Sequence, residues 1–388
     1  MPKRVVRSMF PKIFIQSISL VLIQWLVIKF VLNNEGVEGI GLYFLYISIL
    51  SPVFMFFTGH FKNYGTQNLY GEWPTLVNIR LMQLAATSIF VAIAFVYFPS
   101  AIFLLVVALK LFEVGVDTKL AQETRSGRIH VTFLCIVVSL VLMVVATFYI
   151  SKVEVLAIWF LTIFTVFILS VAVPQKKELG LNSVPARQSF LTILKSVGLQ
   201  SAVVALVGTV PRLSLEHFAG LEALAVFGTM SYFVLLAHVI TMSVFQSSIS
   251  NENEALNLLK VKKKLSLLLI VGLLGLVISY FIHQPLIEII FDESISQHSH
   301  WLPWFVGYIV IWALVSFLEQ TAIQQGGSDY LVKLNLGILV IALITCPALI
   351  YFLEFNGVVV YMYALNTGKL VLLWLFLEKV NKRGQLAV

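Results

Sequence analysis

Gly36-Val37-Glu38-Gly39-Ile40-Gly41-Leu42-Tyr43 returns as Gly220-Leu221-Glu222-Ala223-Leu224-Ala225-Val226-Phe227, at a constant offset of 184 residues. Working outward, Gln16-Ser17 aligns with Gln200-Ser201 at the same offset and without a gap. Further along, Asp117, Gln122 and Ser126 align with Glu319, Gln324 and Ser328 at offset 202, the longer connection at about 284–300 absorbing the difference. Each Gly-x-Glu turn sits between two long apolar runs. Such a repeat sets the architecture before any single element is read. It predicts two equivalent halves, 1–178 and 179–388.

The runs decide what kind of halves these are. Of 388 residues, 59% are hydrophobic and 12% are charged, whereas soluble proteins carry roughly 25% charged residues. A water-soluble surface cannot be built from so few charges. Runs of about 20 apolar residues, rising 1.5 Å each, match a hydrocarbon core about 30 Å thick. They fall at about 12–32, 41–60, 80–98, 100–118, 130–150, 153–174, 192–212, 224–249, 265–283, 301–322, 334–353 and 357–378, separated by turns such as Phe98-Pro99-Ser100 and Glu354-Phe355-Asn356-Gly357. The fold class is therefore an all-α polytopic membrane protein with about 12 transmembrane helices in two six-helix bundles. Six is even, so both bundles have the same orientation, related by a pseudo-twofold axis along the membrane normal. Two such bundles enclose a cleft and can rock about it.

Lysine and arginine set the orientation. With the N-terminus in the cytoplasm, 21 of the 26 fall on the cytoplasmic side, Arg80 among them. Lys152 and Arg212 fall in outer loops, and Lys29, Lys110 and Lys369 remain inside spans. The asymmetry puts both termini in the cytoplasm. It also reads the net charge of +7 as retention of positive loops, with no nucleic-acid partner. Lys260, Lys262, Lys263 and Lys264 beside a span attract anionic headgroups of membrane lipids.

Cys135 and Cys346 lie inside apolar runs and read as packing residues. The chain has no Walker A loop, no HExxH and no GxSxG. ATP hydrolysis and catalysis are thus unsupported, and no cofactor is expected. His298-Ser299-His300, with His283 and Glu288, reads as a wet outer loop rather than a metal site.

The basic N-terminus, the first span with Gln16-Ser17, the turn through Glu38 to Tyr43, Pro211-Arg212 before the second turn, and Gly357-Val358-Val359-Val360 entering the last span together resemble the Wzx-type flippases. These proteins of bacterial polysaccharide synthesis belong to the multidrug/oligosaccharidyl-lipid/polysaccharide exporter superfamily. The likeness covers the whole chain in span count and repeat layout. It departs at Ala223 and Ala225, which replace glycines of the first turn, and in lacking the two extra spans of lipid II flippases. The resemblance implies a cargo of undecaprenyl-diphosphate-linked oligosaccharide, such as an O-antigen unit for lipopolysaccharide. This cargo would cross from the cytoplasmic to the periplasmic leaflet of the bacterial inner membrane. Transport would be ion-coupled alternating access driven by a proton or sodium ion, in association with other polysaccharide-synthesis membrane proteins. A multidrug efflux antiporter of the same superfamily is the alternative. A membrane-embedded glycan polymerase needs a sizeable outer loop, which this chain lacks.

Ionisable groups inside spans are expensive and mark function by default. Lys110, Glu113 and Asp117 are spaced for one helical face. Lys110 and Glu113 can form an ion pair facing a wet cleft. Lys369 lies mid-span with Asn366 one turn before it. Lys29 and Arg212 occupy nearly equivalent repeat positions. The substrate-binding candidates, facing the diphosphate, are Lys29, Lys110, Arg212 and Lys369, since such bases hold phosphate by charge-assisted hydrogen bonds. The coupling-ion candidates are Glu113, Asp117, Glu319 and His238, the last because imidazole titrates near neutral pH.

Overall fold

In hydrocarbon the backbone must satisfy its own hydrogen bonds, so apolar runs of this length fold as helices. The structure, a computed structural model, describes residues 3–59, 61, 73–126, 131–150, 152–172, 184–249, 258–291, 293–325 and 327–386. Its helices are α1 (Lys3–Thr58), α2 (Trp73–Tyr97), α3 (Ala101–Ser126), α4 (Val131–Tyr149), α5 (Val153–Ala172), α6 (Val184–Ile193), α7 (Leu199–Ile249), α8 (Leu258–Ile290), α9 (Glu293–Ser296), α10 (Leu302–Gln324) and α11 (Ser328–Leu386). A π-helical turn, Leu194–Gly198, joins α6 to α7, and a 3₁₀ turn, Ser299–Trp301, precedes α10.

Seven of these helices are long and apolar enough to cross a membrane. Three of the seven are broken inside, α1 at Gly36, α7 at Gly220 and α11 at Glu354, and each makes two passes. With α3 and α4, twelve passes result, as the hydropathy predicts. The repeat's glycines are the hinges. Gly36 has φ 69° and ψ −164°, and Gly220 has φ 84° and ψ 179°, a backbone region that is essentially reserved for glycine. Identical sequence positions thus carry identical backbone breaks, which explains why glycine recurs there. The third break differs. It falls on Glu354, at φ 51°, rather than on Gly357. Gly357 is needed for another reason, since a Cβ there would collide with the carbonyl of Leu349.

The chain forms two compact units, Met1–Thr209 and Val210–Val388. In unit 1, α3 packs along α5, with Phe112 against Phe160 at 5.3 Å. Near one end Phe61, Leu76, Ile79, Ala121 and Ile193 form a buried cluster, so the segment leading into α7 docks on α2 and α3. The first residues of α7 continue along α1, where Thr209 Oγ1 donates to the carbonyl of Ser48 at 3.1 Å. In unit 2, α10 and α11 share a core of Val315, Phe317, Leu318, Leu331, Leu373 and Leu377. The connection between α8 and α10 holds only α9 and the 3₁₀ turn, as its length predicts.

Large apolar side chains cover the outside of both units, for example Val96 at 77% exposure and Phe281 at 77%. In water such a surface would aggregate. In hydrocarbon it is simply solvated.

Candidate functional site

A charge inside a span persists only with partners, because burying it unpaired costs several kcal/mol. Each deep charge in this chain therefore points to the contacts that keep it there. Two such sets among the described residues of unit 1 bring side chains of different helices together. In the first, Lys110 Nζ meets Glu113 Oε2 at 2.9 Å, one turn along α3. Gln24 of α1 donates from its Nε2 to the other oxygen of Glu113. The lysine is 19% exposed and the glutamate 26%, so the pair is open on one side. The spacing predicts this contact, whereas the partnership with Gln24 depends on how α1 lies against α3.

The second set is built around Arg80 of α2, which is 2% exposed. Its Nε donates to Thr118 Oγ1 at 2.7 Å. Nη1 donates to the carbonyl of Thr58 at 2.9 Å and to Gln83 Oε1 at 3.1 Å. Nη2 donates to the carbonyl of Val114 at 3.2 Å and to Asp117 Oδ2 at 3.4 Å. The five N–H donors of a guanidinium thus meet five acceptors. The ring of Phe61 lies 4.4 Å from Cζ, completing the enclosure with a cation–π contact. Arg80 ties the end of α1 and the middle of α2 to α3. Sequence reading places it among the loop cations. In the structure α2 begins seven residues earlier, at Trp73, and Arg80 is interior. A signal was present, since Arg80, Gln83 and Thr87 lie at spacings of three and four and all are buried. Asp117, the third residue of the expected face, goes to this clasp and not to Lys110.

Among the described residues of unit 2, one ion pair lies at comparable depth. Lys369 Nζ of α11 meets Glu319 Oε1 of α10 at 2.6 Å, with exposures of 12% and 25%. A substrate candidate and a coupling candidate have therefore come together. One turn away, Asn366 Nδ2 donates to Tyr308 Oη at 3.1 Å and to the carbonyl of Met362 at 3.0 Å. Tyr363 donates to the carbonyl of Trp304 at 2.7 Å. These bonds fix α11 against α10 beside the pair. Tyr308 and Tyr363 went unremarked in the sequence, because a tyrosine in an apolar run reads equally well as packing.

The remaining candidates stand apart from these pairs. Lys29 is half-buried, its Nζ 5.7 Å from the ring of Trp25 in the turn before it. Arg212 is half-buried in α7, one residue after Pro211. The backbone of His238 belongs to α7, but its side chain lies outside the described residues. Among the described residues no group of three or more His, Cys, Asp or Glu side chains could hold a metal ion. Beside the 3₁₀ turn of unit 2, His298 Nε2 lies 3.7 Å from Glu222 Oε1, too long for a hydrogen bond.

No protein family model matches the sequence, and no curated protein matches it in sequence. Solved structures do match in fold. The Vibrio cholerae MATE transporter VcmN in its bent form aligns over 99% of both chains, at 13% identity and a TM-score of 0.59. A mutant of the same transporter aligns over 100% of this chain and 99% of its own, at 15% identity and a TM-score of 0.56. The eukaryotic MATE transporter AtDTX14 aligns over 98% of this chain and 99% of its own, at 12% identity and a TM-score of 0.60. The chain has the fold of the MATE transporters, with twelve passes in two bundles. At this identity the likeness concerns fold and not cargo.

Proposed function

We propose that the chain is an ion-coupled flippase for undecaprenyl-diphosphate-linked oligosaccharide in a bacterial inner membrane, with both termini cytoplasmic. One observation carries the reading. Each unit holds a half-open lysine–glutamate pair at membrane depth, Lys110–Glu113 at 2.9 Å and Lys369–Glu319 at 2.6 Å.

Such a pair is a charge exchanger. A diphosphate offers lysine more acceptor oxygens than one carboxylate does. When the lysine turns to the diphosphate, the glutamate is left without its cation, and a proton or a sodium ion can take the lysine's place. Cargo and coupling ion thus bind together and leave together. In this scheme Lys110 and Lys369 receive the diphosphate, with Lys29 and Arg212 towards the outer ends of their spans. Glu113 and Glu319 take the ion. Asp117 is engaged by Arg80, and we assign it to the scaffold. His238 keeps its proposed part in coupling on the strength of its position.

The competing reading, efflux of cationic compounds, shares the fold. A cation would be drawn to the carboxylates and repelled by the bases. Among the named groups the bases Lys29, Arg80, Lys110, Arg212 and Lys369 outnumber the acids Glu113, Asp117 and Glu319, which favours an anionic cargo. The deciding experiment deletes the gene from its host and assays surface polysaccharide and lipid-linked units on the inner leaflet. Loss of surface glycan with inner-leaflet accumulation, rescued by the intact gene but not by Lys110→Ala, supports the flippase. Unchanged glycan with raised sensitivity to cationic drugs supports efflux.

A further inference from the structure

The Glu113 carboxylate is held at both of its oxygens. Oε2 meets Lys110 Nζ at 2.9 Å, and Oε1 accepts an N–H from the amide of Gln24 on the first pass of α1. Glu113 has no other hydrogen-bond or ion-pair partner among the described residues. The two contacts differ in kind. Lysine is a flexible cation, which a phosphate can draw away. The glutamine is neutral and comes from a different helix, so an anionic cargo has no charge on it to attract. Its orientation follows from its partner. A carboxylate only accepts hydrogen bonds, so the amide presents its NH₂. Turned over, it would set its own oxygen against Oε1 and lose the bond.

A proton and a sodium ion ask different things of this carboxylate. A proton needs one free oxygen. A hard cation needs several oxygen ligands, which transporters draw in part from carbonyls at unwound stretches of helix. Here α3 is helical from Ala101 to Ser126. The break in α1 is at Gly36, twelve residues past Gln24, about 18 Å along a helix. Main-chain carbonyls beside the pair are therefore committed to helical hydrogen bonds. The surrounding charges supply no further ligand. On α3 itself Asp117 goes to Arg80, Lys119 to Gln122 and Glu123 to the backbone N–H of Thr132. Four helices pack against α3. On α1, Lys29 is the charged residue within two turns of Gln24; on α2 the charge is Arg80; α4 has none. On α5, Glu154 is exposed in the first turn.

We propose that Gln24 makes Glu113 a proton site and bars sodium from it; this rests on reading the Lys110–Glu113 pair as the coupling site of a flippase. When Lys110 turns to the phosphate, a proton from water binds Oε2. The carboxylate becomes a neutral acid, and the lysine stays an ammonium throughout. Oε1 is then the carbonyl oxygen of the acid and still accepts from Gln24, so nothing else in the site has to move. When the lysine returns, the proton leaves Oε2 for water. A sodium ion would find one free oxygen, beside an N–H whose positive end points at the other. To gain a second ligand it would have to turn the amide over and forfeit the bond between α1 and α3. Gln24 is thus a specificity-determining residue that acts through Glu113.

The test uses the full-length purified chain in detergent micelles. Lys110→Met keeps the stem and removes the charge, leaving Glu113 as a departed lysine would. Infrared spectroscopy follows the carbonyl stretch of the protonated carboxyl against pH, assigned to Glu113 by its absence from Lys110→Met/Glu113→Gln. The midpoint in sodium chloride is expected to match that in choline chloride within about 0.3 pH units, a factor of about two. In Lys110→Met/Gln24→Glu, where carboxylate oxygens replace the N–H, sodium should lower the Glu113 midpoint by about one unit or more, a tenfold competition. Should Lys110→Met fail to fold, Lys110→Gln takes its place with the same expectations. A midpoint lowered by sodium while Gln24 is present overturns the inference, as does one that sodium leaves unmoved in the Gln24→Glu variant. The flippase reading fails separately. A sodium-indifferent Glu113, with surface polysaccharide unchanged on gene deletion, would leave the proton site standing and remove the flippase.

Discussion

The acid at repeat position 117/319 has opposite fates in the two units. In unit 1, Asp117 is drawn into a closed clasp, where Arg80 is 2% exposed and every guanidinium donor has an acceptor. In unit 2, Glu319 meets Lys369, an ammonium with no other hydrogen-bond or ion-pair partner among the described residues. Unit 1 holds a lysine–glutamate pair too, one turn earlier at Lys110–Glu113, and the corresponding positions of unit 2 are Trp312 and Val315. An acid stands at both positions, Asp117 and Glu319. The neighbouring helices decide which cation it meets. An arginine with five fixed donors makes a rigid joint, whereas a lysine on a flexible stem makes a contact that can be traded.

The strongest way to break this comparison is to remove the clasp. Arg80→Ala removes the guanidinium from beside Asp117 and takes one donor from each of the carbonyls of Thr58 and Val114. The loss is expected at about 3–5 kcal/mol, the range for breaking a buried pair from one side. Thermal unfolding of the detergent-solubilised protein measures it, and an unchanged transition would show that the clasp is dispensable.

Next in size is the Lys369–Glu319 pair. Lys369→Ala should fold near normally, since its pair is partly solvated, yet lower glycan export by about tenfold or more. A charge-assisted hydrogen bond to cargo is worth about 1.5–3 kcal/mol. Full export at normal protein levels would make Lys369–Glu319 a strut like Arg80–Asp117 and erase the contrast between the units.

The shared feature provides a control. Gly36→Ala and Gly220→Ala should each cost about 1–3 kcal/mol, because both glycines hold a backbone that other residues enter only under strain. Similar costs in the two units, read as shifts in melting temperature, are expected. A large inequality would mean that the two breaks bear different loads.

The smallest effect is a gain. Glu354→Gly relieves the one break made without a glycine and should add about 0.5–1 kcal/mol, the scale of backbone effects at compatible sites. A loss would show that the Glu354 side chain makes a stabilising contact of its own.

Much of this was legible in the linear chain. Apolar runs and their spacing specify twelve passes, because a bilayer leaves helix as the only way to satisfy so many backbone groups. The Lys110–Glu113 contact followed from a three-residue spacing, which is a property of one helix and needs no tertiary information. The recurrence at 36 and 220 marked the two hinges, because a residue type forced by backbone sterics stays visible in sequence. The third hinge did not announce itself, since Glu354 is chosen by the surrounding fold and not by local preference.

What the sequence determined by itself is the helical, membrane-spanning, repeated character of the protein, all of it governed by interactions within a helix or between a helix and its solvent. Helix packing alone settles that Arg80 is a buried joint and that Lys369 holds Glu319. Such partnerships depend on which helices lie side by side and at what rotation, and a run of apolar residues carries almost no record of either.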